Sequence, residues 1–119
     1  MVVTLDLRLR IRIQGEIAMG PGKAALLEAI QQTGSISAAA RQLTMSYSRA
    51  WQLVDTMNRC FRAPLVQTLR GGSSRGGAEV TPAGQEALRQ YRRLEACACA
   101  GIQPHLPAFE ACLVPETAV

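Results

Sequence analysis

The chain has 119 residues, enough for one domain with a modest core and too few for two independent ones. Apolar residues make up 48% of it but aromatics only 4%, so the core must come mainly from Leu, Ile, Val and Ala. The net charge is +4, and no apolar run is long enough to cross a bilayer or to serve as a signal peptide. A cytoplasmic protein with no membrane partner is expected, with Cys60, Cys97, Cys99 and Cys112 as thiols.

Leu5, Leu7, Leu9, Ile11 and Ile13 alternate with Asp6, Arg8, Arg10, Arg12 and Gln14, the period of a half-buried strand with its arginines in solvent. Gly15 to Gly22 reads as a break. Pro21 suits the first turn of the next helix, where its missing amide proton costs nothing. Leu26, Leu27 and Ile30 give that helix, Lys23 to Thr33, one apolar stripe, and Gly34 closes it in a left-handed cap.

The stretch from Ser35 to Phe61 organises the rest. Ile36, Ala39, Ala40 and Leu43 recur at helical spacing, and the pattern restarts with Ala50, Leu53, Val54, Met57 and Phe61. Two short amphipathic helices thus meet at Thr44-Met45-Ser46, with Ser35 or Ser37 capping the first and Ser46 the second. This is the grammar of a helix-turn-helix, although spacing alone favours an ordinary helical hairpin in a small core. Charge favours the former: residues 41 to 75 hold six arginines against one acid, Asp55, a footprint for a polyanion such as double-stranded DNA.

Projected at 100° per residue, the second helix points Ser48, Gln52, Asp55 and Arg59 outward, with Arg49 and Thr56 on one flank and Tyr47, Trp51 and Arg62 on the other. Gln52 suits adenine, Arg49 or Arg59 suits guanine or phosphate, and Ser46 and Ser48 suit phosphate. Asp55 stands one turn before Arg59, in the order that holds an arginine in place. Trp51 reads as packing at the edge of the core. The expected DNA-binding set on the two helices is Ser35, Ser46, Tyr47, Ser48, Arg49, Gln52 and Arg59.

After Pro64, Leu65 to Leu69 reads as a strand, Gly71 to Gly77 as a glycine loop and Ala78 to Thr81 as a returning strand. A β-hairpin in this place is a wing, whose Arg70, Ser73, Ser74 and Arg75 complete the expected DNA contacts. No Gly-Lys-Ser or Gly-Lys-Thr follows the glycines, which excludes a Walker loop. Thr81-Pro82 opens a helix to about Ala100. Its stripe of Ala87, Leu88, Tyr91, Leu94 and Ala98 is too long for the remaining core, so a homodimer interface at Leu88, Tyr91, Leu94 and Ala98 is expected. The organisation is one winged domain over residues 1–100, including this dimerisation helix, and an irregular tail over 101–119 with a short helix near Ala108 to Leu113.

The single histidine, His105, lies in the tail, and no nucleophile–base pair or paired carboxylates accompany it, so neither an enzyme nor a cofactor is expected. Cys97 and Cys99 point about 200° apart on a helix and cannot share one metal, which favours small buried thiols over a metal site. Two alternatives stay open: a winged helix used for protein interaction, and a metal- or redox-responsive regulator using Cys97, Cys99, His105 and Cys112.

The run GSISAAARQLTMSYSRAWQLVDTMN, followed by PLV, the glycine wing and VTPAG, resembles the DNA-binding domain of the ModE-type molybdate-responsive regulators and, more distantly, LysR-type regulators. Ser46, Tyr47, Ala50 and Trp51, with Met57-Asn58 and the wing, carry the likeness, which spans about Leu5 to Ala98. It implies a mainly α winged helix-turn-helix with a small antiparallel β wing, acting as a homodimeric transcriptional regulator. Full-length members of that family carry oxyanion-binding β-barrel domains, whereas 19 residues follow Ala100. The expectation is a regulator without the molybdate-binding domains, its small-molecule effector unknown.

Overall fold

The computed structural model describes residues 3–69 and 76–115. Its elements run β1 (Ile11–Ile13), β2 (Glu16–Met19), α1 (Pro21–Thr33), α2 (Ile36–Gln42), α3 (Tyr47–Cys60), β3 (Val66–Thr68), β4 (Ala78–Val80), α4 (Pro82–Ile102) and α5 (Leu106–Glu110), with a 3-10 turn at Gln103–His105.

The N-terminus departs from the expected single strand. Residues 3–10 form no regular element and alternate between half-buried and exposed; only Ile11–Ile13 pairs, and it pairs with β2, inside the stretch read as a break. Gln14 and Gly15 both have positive φ (50° and 84°), the geometry of a two-residue hairpin turn that matches strand twist. The register slips between Ile11 and Arg12, so that Ala18 and Met19 are buried in succession. That bulge erases the period-two signal from β2.

Beyond the hairpin the local chemistry acts as read. Gly34 takes φ 74° and its amide donates to the Ile30 carbonyl, ending α1. The oxygen of Ser35 accepts from the Ala38 amide and that of Ser46 from the Arg49 amide, so each serine opens its helix. Leu26, Leu27 and Ile30 of α1, Ala39 of α2, and Ala50, Val54 and Met57 of α3 are all at or below 2% exposure and form one core. Phe61 is only half-buried against it.

The β3–β4 hairpin pairs Val66 with Val80 and Thr68 with Ala78. Asn58 anchors its entry, its Oδ1 accepting from the Leu65 and Val66 amides and its Nδ2 donating to the Val66 carbonyl. Thr81 serves two ends at once: its hydroxyl donates to the Pro64 carbonyl and accepts from the Gly84 amide to cap α4.

Helix α4 corrects the assigned dimer stripe. Leu88 (8% exposed) and Tyr91 (1%) lie in the chain's own core, where the Tyr91 ring closes over α1 and the N-terminal segment. Leu94 is exposed and Ala98 half-buried. The short tail helix falls at Leu106–Glu110, slightly earlier than expected.

Candidate nucleic-acid interface

Helix α3 buries Ala50, Leu53, Val54 and Met57 and exposes Ser48, Arg49, Gln52, Asp55 and Arg59, as the projection requires. Its exposed face lies between two hairpins. On one flank Tyr47 and Trp51 meet edge to face, ring centres 6.2 Å apart, and share a cleft of about 440 Å³ with Ser37, Thr68, Leu69 and Gly76 at the base of the wing. Trp51, 36% exposed, lies on the wing side of α3 and borders Ile36, Val54 and Val66, at the edge of the core. Arg70, Ser73, Ser74 and Arg75 lie outside the described residues.

On the other flank a cleft of about 490 Å³ separates α3 from the β1–β2 hairpin. Arg59 spans it: its Nε donates to Asp55 Oδ2 at 3.1 Å, and its Nη1 donates to Glu16 Oε1 at 3.2 Å. The hydrogen bond donated to Asp55 and the charge of Glu16 raise the Arg59 pKa above its ordinary value. Asp55 holds the arginine as its spacing suggested. Glu16 does so as well, which leaves Arg49, and not Arg59, as the arginine of α3 free of carboxylate partners among the described residues.

Two residues here were not singled out for an interface by sequence. Arg12 and Lys23 both line the cleft, and Lys23, the sole lysine, is only 7% exposed. The available clue was position: Lys23 is third in α1, where a cation opposes the positive end of the helix dipole. Burial, and secondarily the charge of Arg49, push its ammonium below the usual lysine value.

Of the expected contacts, Ser46, Tyr47, Ser48, Arg49 and Gln52 form one exposed face. The Ser35 oxygen is engaged by the Ala38 amide and lies 3.0 Å from the Ser37 hydroxyl. Cys97 is exposed, not buried, because α4 has left the core by that point. Among the described residues no three His, Cys, Asp or Glu side chains converge as metal ligands, and no helix is long and apolar enough to cross a membrane.

A three-helix core with α3 displayed beside a two-stranded wing and followed by a long helix defines the winged helix-turn-helix class. Residues 23–85 match the family described as bacterial regulatory helix-turn-helix protein, lysR family, and the chain belongs to that family. It is 46% identical over 92 residues to the molybdenum-pterin-binding protein MopB of Rhodobacter capsulatus, a match covering 77% of this chain and 33% of that protein. It is 41% identical over 78 residues to the molybdenum transport protein ModE of Azotobacter vinelandii, covering 66% of this chain and 29% of that one. The chain therefore spans about a third of the length of these relatives. The crystal structure of a CbnR_DBD-DNA complex shares the fold, with a TM-score of 0.55 at 24% identity over 73% of this chain and 95% of that one.

Proposed function

We propose that the chain binds double-stranded DNA sequence-specifically, as a homodimeric transcriptional regulator of the ModE type, with α3 in the major groove and the wing against the backbone. The observation that carries this reading is the exposed face of α3: Ser48, Arg49 and Gln52 stand clear of a helix whose opposite face is fully buried. A helix fixed in this way presents hydrogen-bonding side chains to base edges without moving. Kinship with regulators named ModE supports the same reading.

For the homodimer, the support comes from apolar surface beyond the protomer's core. Ile13 (48% exposed) and Leu94 (47%) wall an apolar groove of about 690 Å³ between the β1–β2 hairpin and α4. Leu94 and Ala98 remain the proposed contacts, and Leu88 and Tyr91 do not.

The test is selection of bound duplexes from a random pool, followed by titration of the selected and a scrambled duplex at several salt concentrations. The expected result is one enriched site bound at least about 10³-fold more tightly than the scrambled duplex, with affinity falling steeply as salt rises. No enrichment and no salt dependence would instead identify a protein-interaction module.

A further inference from the structure

We propose that the cleft between the β1–β2 hairpin and α3 holds one backbone phosphate of the bound duplex, with Lys23 at its floor and Arg12 and Arg49 at its rim. The inference rests on the DNA-binding reading above and assigns a second flank to that interface, opposite the wing.

The floor is defined by Lys23. Nine-tenths of this residue is buried, and it has neither a hydrogen bond nor an ion pair among the described residues. Its aliphatic stem is packed into the core while the ammonium stays open to the cleft, since among the described residues no fully buried side-chain nitrogen lacks a partner, so its charge is directed at the cleft. The carboxylates nearest to hand do not pair with it, because Glu16 and Asp55 are both engaged by Arg59. Gly20 stands at the cap position of α1 and offers no side chain, so the positive end of the helix adds to the same uncompensated charge. The depressed Lys23 pKa is the electrostatic counterpart of this geometry, and an anion in the cleft relieves it.

The rim admits an oxyanion presented from outside. Arg12 is exposed on the hairpin and donates at 3.5 Å to the Gly15 carbonyl, while Arg49 is exposed on α3. The cleft shares Arg49, Gln52 and Thr56 with the reading face, so an occupant lies alongside whatever α3 meets. A helix in the major groove has one backbone on each side of it. The wing and the Tyr47–Trp51 pair face one of these; the hairpin cleft faces the other. A duplex phosphate, in preference to a free anion, is the occupant this arrangement fits.

The experiment compares the full-length wild type, Lys23→Met and Glu16→Gln on the selected and scrambled duplexes between about 50 and 200 mM salt. Lys23→Met should weaken both duplexes alike, leaving their affinity ratio unchanged. It should also reduce the loss of affinity across that salt range by about 3.5-fold per bound protomer, the share of one phosphate contact. Glu16→Gln, an exposed change that removes a negative charge beside the cleft, should tighten both duplexes severalfold. If the wild type binds DNA and both variants match it, this inference falls and the DNA-binding reading stands; if the wild type binds no DNA, both fall. Should Lys23→Met fail to fold, an unchanged affinity for Glu16→Gln is sufficient to overturn the assignment. Millimolar inorganic phosphate shifting the Lys23 amide resonance, while the variants bind DNA as the wild type does, makes the cleft a free-anion site and likewise overturns it.

Discussion

The hydroxyl of Tyr91 donates to the backbone carbonyl of Leu9 at 2.7 Å, joining α4 to the N-terminal segment across 82 residues. Because the ring is 1% exposed, this contact ties the N-terminal segment to the core. Tyr91→Phe keeps the ring and removes only the donor, so it should cost about 1 kcal/mol, measured by urea unfolding with an unchanged slope.

The burial of Leu88 and Tyr91 also determines how self-association must be probed. Leu88→Glu places an unpaired carboxylate in the core and should abolish cooperative unfolding altogether. Leu94→Glu changes an exposed position and should yield a folded monomer by sedimentation. A wild-type monomer at micromolar concentration would remove the homodimer reading.

Gly84 sits in the first turns of α4, where alanine normally gains about 1 kcal/mol of helix propensity. Here an added Cβ stands 2.3 Å from the Leu65 carbonyl oxygen and 2.6 Å from Val80 Cγ1. The clash involves backbone and should reverse the sign: Gly84→Ala is expected to destabilise by about 1 to 3 kcal/mol, read from the shift in denaturation midpoint.

Asn58 closes the passage from α3 to the wing with three hydrogen bonds. Asn58→Ala leaves the Leu65 and Val66 amides without their acceptor and should cost about 2 to 3 kcal/mol. Amide exchange should then rise first at Val66 and Val80, before the α1–α3 core opens.

Gln52 stands mid-face on α3 with no engaged side-chain partner among the described residues. Gln52→Ala should reduce discrimination by about 1 to 3 kcal/mol at one base position per half-site and leave the salt dependence unchanged. Equal weakening on selected and scrambled duplexes would assign base reading to another element.

What the sequence determined by itself is everything whose cause is local. Helical spacing separates Ala50, Leu53, Val54 and Met57 from Gln52 and Arg49, and cap chemistry explains Ser35, Ser46, Gly34 and Thr81; each follows from residues within a few positions of one another. The Asp55–Arg59 pair was legible for the same reason. Tertiary structure decided where distant segments meet. The β1–β2 hairpin was hidden because Gln-Gly is an unusual turn pair and a bulge removes the alternation from β2. Its folding brings Glu16 to Arg59 across 43 residues and sets Arg12 facing Lys23 and Arg49. The division of the α4 stripe depends on how far α1 and the N-terminal segment reach along that helix, covering Tyr91 and stopping short of Leu94. Periodicity shows that a helix has an apolar face; only packing decides whether that face meets its own chain or another.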